Sequence, residues 1–107
     1  MSTKFNFEEI SFQIIAYAGE AKGLAISAIG EAKKNNFEEA QNLLKKADES
    51  MIIAEKTHMD IISAEAAGET IDFKVLFMHA EDQLLTTQSI MLLAKEFIDL
   101  YKLVLKK

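Results

Sequence analysis

The stretch from Val75 to Lys107 contains neither glycine nor proline, so nothing in it interrupts a helix. At about 100° per residue, His79, Asp82, Thr86 and Ser89 fall on one narrow stripe, and Leu93, Phe97, Leu100 and Val104 continue it toward the C-terminus. One face of the helix is therefore polar in its first half and apolar in its second. Leu84, Leu85, Met91, Leu92, Ile98, Leu103 and Leu105 lie on the other faces. A helix apolar nearly all round has to be buried nearly all round. The rest of a short chain covers one side of it. A second copy of the chain is the simplest cover for the remainder.

The rest of the composition fits that picture. A chain of 107 residues makes one domain, spanning 1–107, with a modest core. Half of the residues are hydrophobic, which argues against disorder. The absence of proline and the presence of four glycines favour long helices over strands and turns. The absence of cysteine excludes a disulfide scaffold, a thiolate zinc site and a thiol nucleophile. No apolar run reaches membrane-spanning length, and the N-terminus lacks a basic region followed by an apolar one. The expectation is a soluble cytoplasmic protein without direct membrane insertion. A net charge of -5 argues against nucleic acid and anionic membrane surfaces as partners. It is compatible with a basic protein partner.

Residues 1–5 read as a loose tail. Asn6 is an N-cap with Glu9 at the third helical position. Ile10, Ile14, Tyr17, Ala21, Leu24, Ala25 and Ala28 then recur at helical spacing, which predicts a helix over 6–34. Gly19 and Gly23 sit one turn apart within it, marking either tight helix packing or close approach by another backbone or a ligand. Asn36, with Glu39 in the capping-box position, starts a second helix over 36–67. Its apolar stripe is Phe37, Ala40, Leu43, Leu44, Ala47, Met51, Ala54, Ile61, Ile62 and Ala66, and Gly68 is a natural residue to end it. Lys33-Lys34 and Lys45-Lys46 read as solvated faces. Thr70 or Asp72 restarts the chain as a third helix over 71–105. Short loops between long helices force antiparallel neighbours, so the fold class is all-α, an up-down-up three-helix bundle. The segment 36–40 is similar to one helix of a tetratricopeptide repeat, but no second copy follows at that period.

Two histidines are available for chemistry. His79 shares its stripe with Asp82, and Gln83 lies alongside one turn on. Polar groups on so apolar a helix need partners if buried and mark an opening in the bundle if exposed. A His–Asp pair at this spacing offers one chain too few ligands for zinc. The imidazole of His79 suits a nucleophile or an acid–base group near neutral pH, with a hydrogen-bonded structural role as the alternative. Asp82 lies where the stripe would meet other chains. A carboxylate there has to be paired, protonated or metal-bound. Copies of Asp82 meeting on a symmetry axis would repel, and a shared cation or a lysine from another helix would relieve that. His58 lies among polar neighbours and reads as a surface or partly buried structural residue. Glu8-Glu9, Glu38-Glu39 and Glu81 read as cap or surface carboxylates, and Met51, Met59, Met78 and Met91 as packing. There is no glycine-rich phosphate loop after a strand, no Ser/His/Asp order and no HExxH sequence.

Several local sequences resemble enzyme IIA of the lactose/cellobiose class of the sugar phosphotransferase system. Tyr17-Ala18-Gly19-Glu20-Ala21-Lys22 is similar to that family's Tyr-Ala-Gly-x-Ala-Arg-like run. Asn35-Asn36-Phe37-Glu38-Glu39-Ala40 resembles its second-helix start, and Glu65-Ala66-Ala67-Gly68-Glu69 its loop into the third helix. The most specific run is His79-Ala80-Glu81-Asp82-Gln83-Leu84-Leu85-Thr86, where the family typically has His-Ala-Gln-Asp-His-Leu-Met-Thr. Phe97-Ile98-Asp99-Leu100-Tyr101-Lys102 is similar to the closing turn. The resemblance covers nearly the whole chain.

It implies a homotrimer of three-helix subunits. It implies that His79 accepts a phosphoryl group from HPr and passes it to a cysteine of enzyme IIB during uptake of a β-linked disaccharide of the lactose, cellobiose or chitobiose class. It implies that three copies of Asp82 share one divalent cation, with Mg²⁺ suited to oxygen ligands. Two positions depart from the pattern. Glu81 replaces the usual glutamine and points away from His79 within its own helix. Gln83 replaces a second histidine; it can donate a hydrogen bond to a phosphoryl oxygen but cannot carry a proton charge. His58 stands where the second helix usually has glutamine, so it inherits no catalytic role. The competing reading is a non-catalytic helical adaptor or regulatory protein with the same bundle, kept open by Glu81 and Gln83. A third is a monomeric tetratricopeptide-like interaction domain.

Overall fold

The computed structural model describes residues 5–106. Three helices, α1 (Phe7–Lys33), α2 (Phe37–Ala66) and α3 (Val75–Leu105), form a rod of 64 × 21 × 19 Å. Each runs against the next, and α1 packs along both of the others.

The core follows a seven-residue repeat. On α3 the buried positions are Phe77, Ala80, Leu84, Thr87, Met91, Ala94 and Ile98, alternately three and four residues apart. On α1 they are Phe7, Ser11, Ile14, Ala18, Ala21, Ala25, Ala28 and Ala32. Such spacing gives the narrow seam of a left-handed helical bundle. Ala18, Ala21, Ala25, Ala28 and Ala32 of α1 are fully buried, and so small a surface lets both neighbouring helices approach closely.

The seam on α3 fixes what its two flanks meet. Glu81, Gln88, Lys95 and Lys102 recur every seven residues on the flank facing α2. Each has a partner there. Nε2 of His58 lies 2.7 Å from Glu81 Oε2. Gln88 Nε2 donates to Glu55 Oε2 at 2.9 Å, and Lys95 Nζ to Asp48 Oδ1 at 3.4 Å. Lys102 Nζ sits 5.8 Å from the centre of the Phe37 ring. The α2 partners fall in number as the α3 residues rise, which is the signature of an antiparallel pair.

The helix ends are chemically specified. Asn6 caps α1, its Oδ1 accepting from the N–H of Glu9 at 3.1 Å. At the other end Asn35 adopts φ 67° while the N–H groups of Asn35 and Asn36 donate back to the carbonyls of Ala32 and Glu31. Gly68, at φ 103°, closes α2 with the same pair of bonds, from Gly68 to Glu65 and from Glu69 to Ala64. The left-handed backbone at these two residues is the geometry that asparagine and glycine tolerate best.

Several expectations need correction. The side chain of Asn36 does not cap α2; its Nδ2 donates instead to Glu31 Oε1 at 3.0 Å. That amide, and after it the Lys34 ammonium, hold the Glu31 carboxyl below the ordinary carboxylate range. The charged form therefore favours the folded corner at neutral pH, and this support is lost as pH falls through the lowered value. Neither Thr70 nor Asp72 starts the third helix. Residues 69–74 form no regular structure, Lys74 is extended just before Val75, and the helix start has no side-chain cap. Ile62 and Ala66 belong to the exposed side of α2, because the seam runs through Ile61 and Ala64. Gly19 and Gly23 do not serve tight packing within the subunit: a Cβ at either would meet nothing within 4 Å. Of the predicted tail, residues 1–4 lie outside the described residues, and Phe5 is half-buried with its ring 6.2 Å from that of Phe7.

The His58–Glu81 pair generates a stability prediction. Its His58 side chain is only 12% exposed, and its ring stacks 6.1 Å from that of Phe77. His58→Ala removes both contacts and leaves Glu81 unpaired, at an expected cost of about 1–2 kcal/mol. Urea unfolding at fixed protein concentration measures it, and a change below about 0.5 kcal/mol would show that the pair does not tie α2 to α3.

Candidate functional site

The site is built on the first half of α3. His79 and Asp82 are both exposed, and neither side chain has a hydrogen-bond or ion-pair partner among the described residues. Thr86 and Ser89 continue the exposed stripe. The Thr86 hydroxyl turns back on its own helix, donating to the carbonyls of Asp82 at 2.8 Å and Gln83 at 3.3 Å. The polar groups on this apolar helix therefore mark an opening in the subunit. They face away from the seam because they lie between its positions in the seven-residue repeat.

The same stripe becomes apolar beyond Ser89. Leu93, Phe97, Leu100 and Val104 are 45–63% exposed, and Leu85, Leu92 and Leu103 flank them, also exposed. The helix that reads as apolar all round is thus covered on one side only within the subunit.

The two residues between His79 and Leu84 that flank the seam go opposite ways. Glu81 lies toward α2 and is occupied by His58. Gln83 lies toward α1, where its Oε1 accepts from Lys22 Nζ at 3.1 Å. Glu81 is therefore not the free surface carboxylate suggested by its sequence neighbours. His58 is the partly buried structural histidine. It occupies a seam position, four residues after Ala54 and three before Ile61. Reading the seam at seven-residue spacing through α2 would have revealed this. The contact of Lys22 with Gln83 has no comparable local signal, because it depends on the relative register of α1 and α3.

Asp82 can supply oxygen ligands to a cation, but not alone. Among the described residues of one chain no cluster of three or more His, Asp or Glu side chains is arranged to hold a metal. The lysine from another helix that would have paired Asp82 is not among its contacts. No helix is long and apolar enough to cross a membrane, among the described residues.

Comparison with known proteins places this geometry in context. Residues 9–102 match the family described as PTS system, lactose/cellobiose specific IIA subunit. The oligo-beta-mannoside-specific EIIA component of Bacillus subtilis (strain 168) is 38% identical over 100 residues, covering 94% of this chain and 91% of the relative. The lactose-specific EIIA component of Staphylococcus epidermidis is 36% identical over 93 residues, covering 87% of this chain and 89% of the relative. The crystal structure of the cellobiose-specific enzyme IIA from Bacillus anthracis superposes with a TM-score of 0.88 at 38% identity, covering 97% of this chain and 94% of that one. This three-helix chain, with its exposed histidine at the head of an outward-facing stripe, belongs to the lactose/cellobiose-specific IIA subunits of the phosphotransferase system.

Proposed function

We propose that the chain is a phosphocarrier in which His79 accepts a phosphoryl group from phospho-HPr and passes it to the cysteine of enzyme IIB. The observation that carries this reading is the contrast between the two histidines. His79 is exposed and unpartnered, whereas His58 is packed against Phe77 and bound to Glu81. Only one imidazole is presented to a partner.

The chemistry asks little of the fold. A lone pair on one ring nitrogen of His79 attacks phosphorus as the P–N bond to the HPr imidazole breaks. In the second transfer the P–N bond to His79 breaks as a P–S bond forms to the enzyme IIB thiolate. The other ring nitrogen keeps its proton through both steps. Positioning and charge stabilisation do most of the work in such transfers, and each partner brings half of the site. The first turn of α3 suits an anion nearby: it holds no acidic residue, whereas α1 and α2 both begin with a glutamate pair. The relatives named for oligo-beta-mannoside and lactose support β-linked disaccharides of the lactose, cellobiose and chitobiose class as the proposed cargo, and the cytoplasm is the proposed compartment.

The working unit in this proposal is a homotrimer. Its support is the exposed apolar half of the α3 stripe, which three copies would bury against one another around an axis. Asp82, on the same stripe, would then meet its two copies. The unpartnered carboxylate fits a shared divalent cation, Mg²⁺ among others, which would neutralise the mutual repulsion of the three groups.

Two tests follow. Incubation with phosphoenolpyruvate, enzyme I and HPr is expected to add one acid-labile phosphoryl group by intact mass, and none to His79→Ala. A wild-type chain left unmodified by an active HPr would favour the non-catalytic adaptor reading. Asp82→Leu is expected to sediment as a trimer whether or not a chelator is present, while chelation loosens the wild-type assembly. A wild-type trimer indifferent to chelation would remove the metal role from Asp82.

A further inference from the structure

Gln83 stands one helical turn after His79, within side-chain reach of it. An unrestrained glutamine amide presents its oxygen or its nitrogen equally well. Here the choice is made by α1. The Lys22 ammonium has only hydrogens to offer, so the amide that faces it at 3.1 Å must do so through oxygen. Its Nε2 is then turned the other way, with two N–H donors that no described residue accepts. The bond joins two half-buried side chains across a helix–helix flank, which restrains both.

The charge around His79 gives this bond a purpose. The chain carries a net charge of -5, and Glu81 and Asp82 lie within one turn of His79. A phosphoryl group would add about two negative charges more. Glu81 is drawn to His58 on one side, and Lys22 brings a cation to the other.

We propose that Lys22 is a positioning residue for the phosphorylated state. It fixes the Gln83 amide so that Nε2 donates to an oxygen of a phosphoryl group on His79. This rests on the reading of His79 as the acceptor. Lys22 acts through Gln83 and takes no part in bond making or breaking.

The test uses the full chain, with phosphoenolpyruvate, enzyme I and HPr supplying the phosphoryl group. The readouts are the equilibrium share of phosphoryl group between HPr and the chain, and the KM for phospho-HPr. Lys22→Met is expected to shift the equilibrium toward HPr by about tenfold, with KM unchanged within about twofold. Lys22→Arg should recover most of that shift. Gln83→Leu should lose about as much as Lys22→Met, and the double variant little more than either, because the two residues act as one unit. Equal equilibria for wild type and Lys22→Met would overturn the proposal, as would full additivity in the double variant or an effect confined to KM. Should Lys22→Met fail to fold, an unchanged equilibrium in Gln83→Leu would overturn it on its own. A wild-type chain that takes no phosphoryl group would instead bring down the acceptor reading, and this inference with it.

Discussion

The seven-residue spacing of buried side chains is the constraint on which the rest of the molecule depends. It gives α1 and α3 a narrow seam instead of a broad apolar face. With the seam fixed at Phe77, Ala80, Leu84 and Thr87, the positions between them have no freedom left. Glu81 must flank α2, Gln83 must flank α1, and His79 and Asp82 must point outward. The alanines of α1 complete the arrangement, since larger residues there would separate the helices that hold Glu81 and Gln83 in place. The site is thus a by-product of how the bundle packs, carried on the outer face of a helix.

That origin explains why the site is open. Catalytic groups in most enzymes sit in a cleft that excludes water. On the proposed phosphocarrier reading, His79 would be offered to two protein partners in turn, for which a convex, rigid helix is better suited. The two partners of α3 on either side of His79 steady it differently: a histidine–carboxylate pair toward α2 and a lysine–amide bond toward α1. Both positions depart from the motif that the rest of the segment resembles, and both are held by residues of another helix. Glu81 and Gln83 are therefore both held in place, while the Asp82 carboxylate between them is unpartnered among the described residues.

Much of this was legible in the sequence, because helical periodicity is a local property. The three helices, the cap at Asn6, the terminating role of Gly68 and the outward stripe of α3 all follow from spacing and turn chemistry. The parts that were not legible depend on contacts between helices. His58 sits among polar neighbours, yet the seam passes through it. Ile62 and Ala66 are apolar, yet they fall on the outer side once the seam is set by Ile61 and Ala64. Capping residues at Thr70 and Asp72 suggested an early restart, but the connection between α2 and α3 forms no regular structure until Val75. Pairing of Lys22 with Gln83 needs the register of two helices distant in sequence, which no local pattern encodes.

The central claim is that one imidazole of two is the carrier. With both histidines labelled with ¹⁵N, the ring nitrogens of His79 and His58 give separate signals in a nuclear magnetic resonance spectrum. Phosphorylation by phospho-HPr should shift one His79 nitrogen and split it by coupling to phosphorus, while the His58 nitrogens keep their positions. Coupling to phosphorus at His58, or at neither ring after complete phosphorylation, would contradict the account.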